Sequence, residues 1–528
     1  MPRFANRFWL AALVVAWAVD FLFFSQTPGV SFLIWILLAL AAGLLLARGE
    51  GVRLSPLTWM LVGLLVLLSA IPFLRAEPFS AGVGALLSIG GLILLAATFR
   101  TGNWFYNRTW DTIGELLGVL IAALFRPFDL FKAPPAQVED GTPDAAGKRS
   151  FWRGAAPVLR GVLLAVPVVA VLAALLSSAD LVFADRLKSL LSIFDIEKLP
   201  QYIFRLVYIL ILTYLFAGVY LHALWPGKAA ARPDSSQPVV RPFLGWTETA
   251  IVLGAVVLLF AFFVVLQFQY LFGGQANITA AGYTYSEYAR RGFSELVAVA
   301  VLSLLLTLTL GSVARRETPG QRTAFTGMTA ALLVLVLVIL GSALQRLLLY
   351  EQAYGFTRLR TYTLIFIPWL ALLLLAAIGL EMGHRGGRFG LALLIAIAGF
   401  GLTVGALNVD GFIARQNIER GLRGEEFDRA YLGELSSDAI PVMMHYFQQS
   451  GLDPVIRDGL GAELACQAQV ILSASAQSWK AFTVSRATAQ QVLAGRDWKD
   501  YPVALRDGTY YVTVGKKQDA CFGYSGMD

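Results

Sequence analysis

Glu287, Arg291 and Glu295 are each four residues apart, so on a helix they stack on one face as an acid–base–acid stripe, with Arg290 beside them in the turn. They lie in or next to the stretch from Gln269 to Phe293, which also carries Tyr270 and Tyr288 and separates two long apolar segments. The guanidinium groups of Arg290 and Arg291 suit the phosphate of an anionic lipid headgroup, or a carboxylate held in two-toothed fashion. A plainer reading uses the same residues: arginines that snorkel to a membrane boundary and tyrosines that belong to its aromatic belt. Thr284 and Glu287 have capping-box spacing, which predicts a helix that starts there and runs into the next apolar segment. Gly273 and Gly274 read as a turn, because no phosphate-loop spacing follows them.

Other chemistry-bearing residues are few. His222, His384 and His445 fall beside different elements with no matching nucleophile, and no HExxH zinc motif occurs. The only cysteines are Cys466 and Cys521, which excludes a multi-cysteine metal centre. No cofactor and no metal are expected. Asp20 lies inside an apolar run, where an ionisable residue is a functional candidate, although its place near the end of the run would let it reach water. The same interfacial reading applies to Arg205 and Glu248. Gln267 reads as an interhelical hydrogen-bond partner, Gly401 and Gly405 as a close helix contact, and Glu381 with His384 as a helix end.

What must position these residues is a membrane-embedded chain. Of its 528 residues 57% are apolar and 15% charged, and the mean hydropathy is +0.65, far from soluble composition. The net charge of +7 comes from Lys and Arg in short connections between apolar runs, which argues against a nucleic-acid partner. A span needs about 20 apolar residues, and about eleven candidates occur. They are Phe8 to Phe24, Val30 to Ala47, Pro56 to Leu74, Phe79 to Phe99, Ala155 to Ser177, Tyr202 to Leu224, Thr247 to Tyr270, Ser294 to Ser312, Ala324 to Leu347, Thr361 to Leu380 and Phe389 to Ala406. One alternate set of connections holds about nineteen Lys and Arg and the other about nine, so the positive-inside rule puts the N-terminus in the cytoplasm.

The expected class is an all-α polytopic membrane protein with a small, mainly helical extracytoplasmic C-terminal domain that includes a short β segment. Residues 1–132 form an N-terminal bundle that ends in an interfacial helix from Ile113 to Lys132, and 133–153 are a Pro-rich cytoplasmic linker. Residues 154–407 form the main bundle, with a second interfacial helix from Ala179 to Leu199, and 408–528 form the outer domain. In that tail Asp410, Ser437 and Asp453 suit helix N-caps, the last with Pro454 behind it, and "YYVTV" reads as a strand after a turn. Both cysteines fall there, outside the cytoplasm, and are expected to form a disulfide.

"YLFGG" at Tyr270, "YARRGFSELVAVA" at Tyr288, "NVDGFIARQNIER" at Asn408, "FDRAYLGELSSDAIP" at Phe427 and "SWKAFTVSRATAQQVL" at Ser478 together resemble a bacterial multi-spanning family. It is known as domain of unknown function 4173 and has a relative numbered 4153. The resemblance covers Pro157 to Leu493 and departs at Val409, where such proteins tend to show Pro. It implies a bacterial cytoplasmic membrane protein and brings no activity. The leading expectation is a non-enzymatic envelope sensor or scaffold, whose partners would be the lipid bilayer, an anionic headgroup and an envelope protein. The alternatives are a transporter of lipid-linked or amphiphilic cargo, or an intramembrane transferase, either using the Glu287–Arg291–Glu295 face.

Overall fold

The computed structural model describes residues 5–105, 109–128, 199–225, 242–272, 293–473 and 478–521. Proline and capping side chains start many of its helices, as fits a position where the first N–H groups have no intrahelical partner. Ser55 Oγ accepts from Leu57 N ahead of Pro56, the Glu77 carboxylate accepts from Phe79 N and Ser80 N around Pro78, and Thr318 with Gln321 closes a full capping box before Pro319.

In chain order the membrane helices are α1 (Ala5–Phe23), α2 (Val30–Gly49), α3 (Pro56–Ser69), the short α4 (Ile71–Leu74), α5 (Pro78–Thr98), α6 (Thr109–Phe125), α7 (Leu199–Leu224), α8 (Trp246–Phe272), α9 (Phe293–Val313), α10 (Pro319–Tyr354), α11 (Arg358–Met382) and α12 (Phe389–Ala406). Among the described residues ten segments are long and apolar enough to cross a membrane, α3 and α4 counting as one, which matches ten of the eleven candidates. The candidate from Ala155 to Ser177 and the interfacial helix from Ala179 to Leu199 lie outside the described residues, except for Leu199, which opens α7. The segment expected as an interfacial helix from Ile113 to Lys132 contains most of the shorter apolar α6, which ends at Phe125, and its residues 129–132 lie outside the described residues.

A smaller cluster of Val264, Leu296, Ile339 and Ala343 apart, two apolar cores hold the described spans. One joins Phe8, Ile36, Leu65 and Leu94 to Leu221 of α7, and the other joins Leu253, Leu304, Leu332 and Leu374. Helix α12 is the seam: Leu391 and Leu394 pack on the first core, whereas Phe389 and Ala396 belong to the second. Close contact explains its glycines, since a Cβ on Gly401 would stand 2.3 Å from Leu87 Cδ1 and one on Gly405 2.5 Å from Ile71 Cγ1.

The tail comprises α13 (Val409–Leu422), α14 (Arg429–Gly433), α15 (Ile440–Phe447), α16 (Pro454–Ser473) and α17 (Val484–Ala494), followed by β1 (Val503–Arg506), β2 (Thr509–Val514) and β3 (Lys517–Ala520). The strands form one antiparallel sheet in the order β1-β2-β3. Asp507 and Gly508, both at positive φ, make the first turn, as a two-residue hairpin requires. Ile413, Ile418, Leu432, Met443, Leu460 and Leu493 form a tail core that is continuous with Ile365 of α11 and Val404 of α12. The tail therefore shares its core with the span ends.

Asp453 is the cap of α16, accepting from Val455 N at 2.8 Å. The other two expected caps differ. Asn408 caps α13, accepting from Gly411 N, because the Asp410 carboxylate is recruited by an arginine from another helix. Residue Ala439, and not Ser437, precedes α15, whose start is set by Pro441.

Candidate functional site

Three buried carboxylates gather where the tail meets the spans. Asp410, in the first turn of α13 and wholly buried, accepts from Arg358 Nε at 2.9 Å and Nη2 at 2.7 Å, and from Ser436 N at 2.7 Å. Asp438, in the loop before α15, accepts from Ala76 N, Glu77 N and Ser436 Oγ at 2.8, 2.9 and 3.2 Å, and pairs with Arg75 at 3.6 Å. Glu77 caps α5 and accepts from Tyr362 Oη at 2.6 Å.

The donors reach further. Arg75 donates to Gly405 O at 2.9 Å and Ala406 O at 2.6 Å at the end of α12, where carbonyls lack helical partners. Arg358 donates to Glu434 O at 2.9 Å, and its backbone N–H to Tyr431 Oη at 2.7 Å. Burial holds the Tyr431 phenol above its ordinary pKa, against the opposing effect of the Arg358 backbone hydrogen bond. Each of the three carboxylates thus accepts at least three hydrogen bonds. Such bonding suits anchoring, because each carboxylate is held by fixed donors.

Two further contacts fix the tail. Asn417 of α13 exchanges two bonds with the backbone of Phe356, at 2.8 and 2.9 Å, beside Gly355 at φ +77. Ahead of α17, Lys480 Nζ donates to Phe21 O of α1 at 2.6 Å, and Phe482 O accepts from Val30 N at the start of α2 at 2.9 Å. Gly29 permits that approach, since a Cβ there would stand 2.6 Å from Phe482 O. The tail thereby touches the α1–α2, α4–α5, α10–α11 and α12 ends together.

Asp20 and Arg205 correct the expectation that each reaches water separately. Asp20 is 4% exposed and accepts from Arg205 Nε at 2.8 Å, with the Tyr208 hydroxyl as a further donor. Near the end of α1 two opposite charges satisfy each other across 185 residues of chain, with 29% of the Arg205 side chain exposed. Gln267 joins helices as expected, accepting from Ser342 Oγ at 2.9 Å and Arg346 Nη2 at 3.0 Å. Glu381 accepts from Thr326 Oγ1 at 3.1 Å and lies 3.8 Å from Arg316. Glu248 accepts from Gly245 N at the start of α8.

Of the stripe in the long connection, Glu287, Tyr288, Arg290 and Arg291 lie outside the described residues. Tyr270 is in the last turn of α8, and Glu295 is exposed in the first turn of α9, accepting from Ser294 Oγ at 2.9 Å. Cys466 and Cys521 form a disulfide, with Cα atoms 5.7 Å apart, which ties β3 to α16. Beside it Glu463 is fully buried with neither oxygen hydrogen-bonded, and burial pushes its pKa up to about 7 against the pull of Arg429. Arg429 is held from the other side by Asp519 of β3 at 2.8 Å.

No group of three or more His, Cys, Asp or Glu side chains suited to a metal occurs among the described residues. The junction is not visible in a local window because Arg358 and Asp410 lie 52 residues apart, Tyr362 and Glu77 285, and Asp438 and Ala76 362. The available signal was the placing of Asp410 and Asp438 inside the quoted tail motifs.

No curated protein and no solved structure matches the chain. One family model does match, over residues 62–446, which include Arg75, Glu77, Arg358, Asp410 and Asp438 and end within α15. It is the second of the two families named above, and its match begins earlier and ends earlier than the motif resemblance. The matched stretch is well over half of the chain, and the protein belongs to the family described as Domain of unknown function (DUF4153).

Proposed function

We propose that this protein is an envelope scaffold or sensor of a bacterial cytoplasmic membrane, in which the tail is a fixed cap that holds several span ends in one arrangement. The observation that carries this reading is the junction of Asp410, Asp438 and Glu77. Buried, multiply bonded charges specify one arrangement of the parts they join, and breaking one partner leaves an uncompensated charge. The N-terminus lies in the cytoplasm and the tail outside, supported by the Lys and Arg asymmetry and by a disulfide suited to an oxidising compartment. An envelope protein or lipid would be organised or read by that outer surface.

The experiment has two arms. Alkaline phosphatase fused after Leu493 should be active and one fused near Pro134 inactive, and the reverse pattern overturns the topology. In a deletion strain, Asp438→Asn should abolish complementation while Glu295→Gln retains it. Loss through Glu295→Gln alone would favour a transport or transfer path along the stripe.

A further inference from the structure

Residues 479–482 carry more than backbone caps. On α1 the side chains of Leu10, Leu13, Trp17 and Phe21, spaced three, four and four, are all exposed, so a helix that crosses a membrane turns this stripe to lipid. Trp17 stacks on Phe21 with ring centroids 5.2 Å apart, and Phe21 meets Trp479 of the tail at 6.4 Å. Trp479 therefore continues the lipid-facing stripe by one step beyond the end of the span. Its own side is open, at 54% exposure, as is that of Phe482 at 45%, which packs on Phe73 at 6.0 Å. Between the two, the Lys480 ammonium sits 4.0 Å over the Phe21 ring.

The geometry points to a lipid-binding surface on the tail domain: Trp479 and Phe482 enter the interfacial layer of the bilayer next to α1, with Lys480 at headgroup depth. Continuity with the stripe on α1 identifies the occupant as bilayer lipid. An indole with one apolar face and one N–H suits that layer, where tryptophan is enriched. A basic side chain between aromatics also suits it, since its stem lies along apolar surface while its charge stays at the boundary. The surface would meet lipid whichever side of the membrane the tail occupies.

The test uses the full chain reconstituted in phosphatidylcholine and phosphatidylglycerol vesicles. Nitroxides are placed by Trp479→Cys, Phe482→Cys and, on the hairpin, Leu505→Cys, and relaxed by oxygen or by a water-soluble nickel chelate. The ratio of oxygen to nickel access should be several-fold higher at 479 and 482 than at 505. Equal ratios would overturn the proposal, as would exclusion of both reagents at 479, which would mean that protein covers it. Brominated lipids provide a check that needs no label: Trp479→Phe should remove a bromine-quenched share of the tryptophan fluorescence, and an unchanged quenched share would count against the surface.

Discussion

At the end of the spans that carries the tail, Asp410, Asp438 and Glu77 are buried and each accepts three or more hydrogen bonds, whereas at the opposite end Glu381 meets only Thr326 and a distant Arg316 and keeps 24% of its side chain exposed. The first arrangement cannot be loosened one bond at a time, because each lost donor leaves a desolvated charge behind. The second can, because water replaces what is lost. The same residue types make a joint at one end of the helices and a solvated rim at the other. Burial and the number of donors make the difference.

The joint is most sensitive at Asp410. Asp410→Ala strands the Arg358 guanidinium and should cost about 3–5 kcal/mol, read as loss of folded protein in membranes and of the thermal transition of purified protein. A loss under 1 kcal/mol would place the junction with the solvated rim. Next is the disulfide: replacing Cys466 and Cys521 with serine should lower tail stability by about 2–4 kcal/mol, seen as faster proteolysis of the tail while the spans stay protected.

A smaller effect is expected from Glu463. Its folded pKa is raised to about 7 by burial, so the folded tail binds a proton that the unfolded tail releases at lower pH. The contribution of Glu463 to tail stability should then be full below about pH 4.5 and be lost as pH rises through 7. Glu463→Gln should flatten that profile and raise stability at pH 8 by on the order of 2 kcal/mol. A parallel pH profile in the variant would remove Glu463 as its source. Smallest is Glu381→Gln, which should change stability by about 0–1 kcal/mol, measured in the same thermal assay as Asp410→Ala.

Local features of this protein were legible because local physics fixes them. Twenty apolar residues in a row can only be buried or span, so ten spans were readable, and spacing alone placed Gly401 and Gly405 in a contact and Asp453 at a helix start. The junction was not legible, because a window on the sequence finds partners four residues apart and not Arg75 beside Asp438 or Asp20 beside Arg205. Glu287, Arg291 and Glu295 stand out by their spacing of four, whereas Asp410 reads as an ordinary cap until Arg358 arrives from another helix.

If the junction works as a joint, it holds the tail in one position on the spans. Spin labels at the exposed Leu359 of α11 and Val455 of α16, introduced as cysteines in the reconstituted protein, report it as a distance distribution by pulsed dipolar spectroscopy. A single narrow distance is predicted for the otherwise native chain, broadening when Asp410→Asn and Asp438→Asn are combined. A broad distribution in the native chain, or the same narrow one in the variant, would contradict it.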